Sequence, residues 1–152
     1  MPKSQKQVLM LGPSPTATGG IAALVTGYYR CGLFDRWPIV YFSLYEDGSF
    51  IRKLNRVLVS FPRYLTKLLT GRAGAVHVHT SFNISFWRKS VFVLPTLLFS
   101  RTPVILHFHG GEMQNFYRDS SGPLRRYLTR FILDRATYIV ILSKQLARSL
   151  DD

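Results

Sequence analysis

Acidic side chains are scarce, and none occurs between Asp47 and Glu112. That stretch nevertheless holds Arg52, Lys53, Arg56, Arg63, Lys67, Arg72, Arg88, Lys89 and Arg101. Over the whole chain 8 Asp or Glu stand against 20 Lys or Arg, a formal net charge of +12. Such an imbalance implies an anionic partner: nucleic acid, anionic lipid headgroups or a phosphorylated substrate. Cysteine is limited to Cys31, which excludes an internal disulfide framework and fits a reducing compartment. No long hydrophobic run exists. The longest, "VFVLPTLLFS" at 91–100, contains Pro95 and falls far short of the roughly 20 residues of a membrane span. The opening "MPKSQKQVLMLG" carries basic residues but too short an apolar run for a signal peptide. The chain therefore reads as cytoplasmic and not membrane-spanning. Repeats, low-complexity segments and internal linkers are absent as well. What is present, 152 residues with 47% hydrophobic and 14% aromatic content, suffices for one buried core and argues against disorder.

Short apolar runs alternate with helical patterns. "QVLMLG" (7–12), "PIVYFSL" (38–44), "AVHVH" (75–79), "PVILHF" (103–108) and "TYIVIL" (137–142) read as strands. Between them, Ile21, Leu24, Val25 and Tyr28 follow the i, i+3, i+4, i+7 template of a helix. A second helical face runs through Ile51, Leu54, Leu58, Phe61, Leu65, Leu68 and Leu69, and Pro62 is expected to kink or divide that helix. A third, over 85–100, carries Trp87, Val91, Leu94 and Leu98. A fourth opens at Pro123, with Leu124, Tyr127, Leu128, Phe131 and Ile132 on one face. Ser143 is the expected N-cap of a last helix. The order βαβαβαβαβα predicts an α/β fold, a Rossmann-like parallel sheet with helices on both faces. Right-handed crossovers restrict its strand order to about 2-1-3-4-5.

In such a sheet, ligands bind where the strands end and the helices begin. Three segments fall there: "GPSPTATGG" after the first strand, "HTSFNISFWRK" after the third and "HFHGGEM" after the fourth. Gly19 and Gly20 open a helix and would let backbone amides approach an anion such as phosphate, although a plain tight turn explains them equally. The segment is neither G-x-G-x-x-G nor a P-loop. Ser81, Arg88 and Lys89 lie on or near the second segment, where the two cations either face solvent or meet an anionic ligand.

Four histidines fall in two pairs of period-two spacing, His77 with His79 and His107 with His109. A metal could use such pairs, but apart from Glu112 nothing completes the donor set. His77 and His107, inside apolar strands, read as core histidines. His79 and His109, at strand ends, are better placed for ligand, and Gly110 and Gly111 leave room beside His109. The helix bearing Arg52, Lys53, Arg56, Arg63, Lys67 and Arg72 is basic beyond what solubility needs and suits anionic lipid headgroups. Nucleic acid is disfavoured, because no helix-turn-helix, zinc knuckle or RNA-binding aromatic signature occurs.

"VLMLGPSPTATGGIAALV", "VHVHTSFNISFWRKSVFV", "PVILHFHGGEMQNFY" and "YIVILSKQL", in that order and spacing, resemble the amino-terminal domain of GT-B glycosyltransferases. The likeness is to the family 4 (group 1) enzymes of bacterial polysaccharide biosynthesis, and it covers nearly the whole chain, residues 1–152. It implies transfer of a sugar from a nucleotide-sugar donor to a lipid-linked or polysaccharide acceptor, with retention of configuration and no metal or other cofactor. By position, Gly19 and Gly20 would lie near the donor phosphates and His109 near the transferred sugar. His79, Ser81, Arg88, Lys89, Gly110 and Glu112 would be acceptor or ligand contacts, and the basic helix would meet the inner-membrane surface. The family's carboxyl-terminal donor domain has no counterpart in the sequence, so the chain alone is expected to be inactive. Two other readings remain: a non-catalytic module binding a nucleotide or anionic lipid, and, on charge alone, a nucleic-acid-binding protein.

Overall fold

A computed structural model describes residues 5–82, 84–110 and 122–142. Gly111, Glu112 and the helix expected after Ser143 lie outside these residues. Strands β1 (Gln7–Pro13), β2 (Ile39–Tyr45), β3 (Ala73–Thr80), β4 (Val104–Phe108) and β5 (Tyr138–Ile141) form one sheet, ordered β2-β1-β3-β4-β5 with every pairing parallel. The helices are α1 (Gly20–Arg30), α2 (Leu33–Arg36), α3 (Phe50–Leu69), α4 (Ile84–Phe99) and α5 (Pro123–Arg135). This is the expected Rossmann-like α/β fold. The chain winds outward from β1 to β2, then crosses back to β3, so the carboxyl ends of β1 and β3 flank the reversal where such sheets bind ligands.

The two sheet faces differ in chemistry because side chains alternate along each strand. One face presents Leu9, Leu11, Phe42, Leu44, Val76, Val78, Val104, Leu106 and Phe108, all buried in a single core with Tyr64 and Leu68 of α3, Phe92 and Val93 of α4 and Ile132 of α5. Edge-to-face rings knit this layer. Phe92 stands 5.2 Å from Tyr64 and 5.4 Å from Phe61, and Tyr64 stands 5.6 Å from Phe42. The Tyr64 hydroxyl is paired with Thr96 Oγ1, and the latter also bonds the Phe92 carbonyl, so the buried polar atoms are satisfied. The opposite face carries Met10, Tyr41 and the histidines. There α1 and α2 supply Tyr28 against His79 and Tyr29 and Phe34 against Tyr41.

Helix periodicity was a weaker guide than strand pattern. The α1 positions Ile21, Leu24, Val25 and Tyr28 are buried or half-buried, as expected. In α4 the buried positions are Phe86, Lys89, Ser90, Phe92, Val93 and Thr96, whereas Val91 and Leu98 of the expected face are exposed. The helix is apolar nearly all round, so apolar spacing alone does not select the side that meets the sheet. In α5 Thr129 and Ile132 are buried, while Leu124 and Tyr127 are exposed. Pro62 does not divide α3, which runs as one helix. Its second half docks most deeply, through Tyr64 and Leu68, and from the first half Val57 is partly buried against the core. Ile51, Leu54 and Leu58 of the expected core face remain exposed.

Phe92 lies between two perpendicular rings with no exposed surface. Phe92→Ala should destabilise the fold by roughly 3–5 kcal/mol. Urea unfolding followed by circular dichroism should show a lower midpoint with an unchanged slope.

Candidate functional site

At the carboxyl edge of β1, β2 and β3 lies a cavity of about 400 Å³, bordered by Pro13, Thr18, Gly19, Gly20, Tyr45, Ser81, Ser85, Arg88 and Lys89. The amino termini of α1 and α4 both open onto it. Gly19 caps α1 with φ 116° and ψ 166° and without a side-chain cap bond. That backbone region is essentially reserved for glycine. The terminal amides of α1 are thus offered to the cavity rather than to a capping oxygen. The loop before them is pinned from across the site. Asp47 accepts the Thr18 N–H at 2.7 Å and the Tyr45 hydroxyl at 2.9 Å, and these bonds, the Thr18 one foremost, hold its carboxylate below the usual range. At the β1 end Gly12 is required by closeness, since a Cβ there would meet the Tyr41 hydroxyl at 2.2 Å.

The cavity's cations are unusual in their setting. Arg88 packs its guanidinium 4.7 Å from the Tyr45 ring centre, a cation–π contact that fixes its plane beside the opening. Lys89 is 3% exposed, and its ammonium donates to Ser85 Oγ at 2.6 Å. Burial, reinforced by the Arg88 charge, pushes its pKa down to about 7. A buried ammonium without a carboxylate is costly to hold, and an anion entering the cavity would offset that cost directly.

The histidines gather in a way that spacing alone did not reveal. Parallel register sets His79 opposite His107, so both pairs occupy one sheet face as a single cluster of four rings. His77 Nε2 is 3.4 Å from His107 Nδ1, and His79 Nδ1 is 2.8 Å from His109 Nε2. Burial foremost lowers all four pKa values. His77 and His109 fall to about 4, His79 lies lower still, and His107 is also depressed. All four are therefore neutral at pH 7. The burial assignments are reversed from expectation: His79 is fully buried, whereas the presumed core residues His77 and His107 are only partly so. Among the described residues, Tyr28 of α1 packs against His79 on this face. His79 and His109 do not border the cavity, although the Lys89 charge acts on both. Gly110 follows with φ 113°, and Glu112 lies outside the described residues.

The basic helix is less free than its composition suggests. Glu46, just before it, accepts Nε of Arg56 at 2.8 Å, also pairs with Nη2 of Arg56, and stands 3.8 Å from Arg52 Nε. Lys67 donates to Gln7 Oε1 at 2.8 Å, near the opposite end of the sheet from the cavity. Lys53 lies 5.1 Å from the Tyr45 ring centre and Arg63 5.9 Å from that of Phe42. What the sequence reading missed is the apolar partner of this charge: Phe50, Ile51, Leu54, Leu58 and Val59 are all exposed on the same helix. Ile51, Leu54 and Leu58 lie on the helical face that the sequence pattern picks out, but that face is exposed over the helix's first half. No helix among the described residues is long and apolar enough to cross a membrane.

Replacing Lys89 tests its setting. Lys89→Met keeps the stem and removes the buried charge, and should raise stability at pH 7 by roughly 1–3 kcal/mol. The pH dependence has a definite sign. The unfolded lysine titrates near 10.5 and the folded one near 7, so between these values the unfolded chain holds the extra proton. Raising pH from 7 to 10 should stabilise the wild type relative to the variant. Urea titrations of both proteins at pH 7 and 9.5 read the difference directly.

No curated protein matches the chain. A family model described as "Glycosyl transferase 4-like domain" matches residues 7–152, which takes in every strand and helix of the fold and the whole border of the cavity. The chain belongs to the glycosyl transferase 4-like domain family.

Proposed function

We propose that this domain forms the acceptor-side wall of a GT-B glycosyltransferase that moves a sugar from a nucleotide-sugar to a lipid-linked or polysaccharide acceptor at a membrane surface, with retention of configuration. One observation carries the reading. The cavity at the sheet's switch point joins the open amino terminus of α1 to Arg88 and a buried Lys89 that has no carboxylate partner among the described residues. Its volume of about 400 Å³ suits a diphosphate with part of a sugar rather than a polymer. Departure of a nucleoside diphosphate leaves negative charge on its bridging oxygen. Fixed amide dipoles and a poised ammonium stabilise that charge without reorganising. Arg88, held flat against Tyr45, orients the phosphates, and Ser81 and Ser85 offer hydroxyls beside them.

By resemblance, His109 would lie near the transferred sugar. Because its imidazole stays neutral well below pH 7 and is bonded to His79, it serves as an oriented hydrogen-bonding group rather than an imidazolium acid. The exposed apolar residues at the start of α3, interleaved with Arg52, Lys53, Arg56 and Arg63, support docking on anionic lipid: the apolar side chains would enter the interface while the cations meet headgroups.

Isothermal titration of the chain with inorganic pyrophosphate tests the cavity. Binding should weaken as pH rises through 7, because the anion selects the protonated Lys89, and Lys89→Met should reduce affinity at least tenfold and flatten the pH profile. Equal binding by wild type and variant would remove the cavity from the proposal. In assays of sugar transfer by the active protein, His109→Ala should lower turnover at least a hundredfold while leaving pyrophosphate binding intact; unchanged turnover would dismiss His109. Co-sedimentation with phosphatidylglycerol vesicles should exceed that with phosphatidylcholine, and Ile51→Asp with Leu58→Asp should abolish it without lowering thermal stability.

A further inference from the structure

We infer that His77, His79 and His107 form a binding site for a divalent transition-metal ion of the zinc class, with His109 as the group that orients His79. One ring nitrogen from each of the three residues lies within 4.8 Å of the others. The His77 Nε2 to His107 Nδ1 separation of 3.4 Å is already the spacing of two tetrahedral ligands, since metal–nitrogen bonds of 2.0–2.1 Å place such donors roughly 3.3 Å apart. Rotation of the two partly exposed rings, His77 and His107, toward the buried His79 closes the remaining distance, and their exposure provides the entry path.

The second observation is the state of the buried nitrogens. His79 Nε2 and His107 Nε2 are buried with no hydrogen-bond partner among the described residues. Leaving such an atom unpaired is costly, and the metal would account for His79 Nε2. For His79 the reason is geometric. Its Nδ1 sits 2.8 Å from His109 Nε2, so donation from Nδ1 leaves Nε2 as a bare lone pair. That is the arrangement of metal-bound histidines, where the second ring nitrogen donates to a fixed acceptor.

Donor chemistry narrows the ion. Among the described residues the donors are imidazole nitrogens alone, a set that selects zinc, copper, nickel or cobalt over magnesium, calcium or manganese. The Lys89 charge acts on His79 and opposes a cation there, so uptake relies on the ring donors alone. The site ties β3 to β4 at their carboxyl ends, and its occupancy does not depend on sugar transfer.

Metal-free, tag-free chain titrated with cobalt(II) and then zinc(II) provides the test. One equivalent of cobalt should bind with the strong visible absorption of four-coordinate cobalt and no sulfur charge-transfer band. Zinc should displace it and raise the melting temperature. His77→Gln and His107→Gln should each abolish one-to-one uptake while matching the metal-free wild type in circular dichroism, and His109→Gln should weaken it about 10–100-fold. Cys31→Ser should change nothing. The inference fails if the wild type takes up no stoichiometric cobalt, if uptake survives both glutamine variants, or if it is lost with Cys31.

Discussion

Parallel pairing of β3 between β1 and β4 is the constraint on which the ligand edge depends. It places the end of β3 beside the end of β1, so that the loop bearing Ser81 meets the loop bearing Gly19 across one cavity. It also sets His79 level with His107, so that two separate His-x-His runs become one cluster. A slip of one residue would turn the histidines toward Tyr64 and Phe92 and send Val78 and Leu106 to the α1 face. The apolar layer forbids that slip, because Val76, Val78, Val104, Leu106 and Phe108 find their burial only in this register. Hydrophobic packing on one face thus dictates the polar geometry on the other.

The two faces divide labour accordingly. Beneath α3, α4 and α5 the sheet is apolar and aromatic, with Tyr64 paired to Thr96. Toward α1 it carries ionisable groups held neutral by burial, and at its edge an ammonium that burial only half tolerates. Groups of this kind are expensive to retain, and folds keep them where they meet a ligand. Under the function proposed above, the phosphates of a nucleotide-sugar would be that ligand.

The strands, their order and the three converging loops were legible in the sequence, since strand period and crossover handedness are local or topological rules. The sides of α4 and α5 were not. A helix as apolar as "FWRKSVFVLPTLL" offers several candidate faces, and only the docked sheet selects Phe92 over Val91. Gly19 and Lys89 could be singled out from their positions. That Lys89 would be buried could not, because lysine beside arginine at a helix start normally reads as solvated. The histidine cluster was hidden for another reason: it needs the register of two strands about 30 residues apart. Glu46 escaped notice because it precedes the helix whose charge it offsets.

Glu46 and Asp47 are neighbours with divided allegiance: the first grips Arg56 on the surface helix, the second holds Thr18 in the loop that precedes the cavity's glycines. Both contacts are exposed, and mobile ions attenuate such contacts over about 10 Å at moderate salt. The aromatic layer beneath is indifferent to salt. Ionic strength therefore acts on this fold selectively, weakening the contacts that tie the surface helix and the glycine loop to the end of β2 while the sheet that carries them keeps its packing.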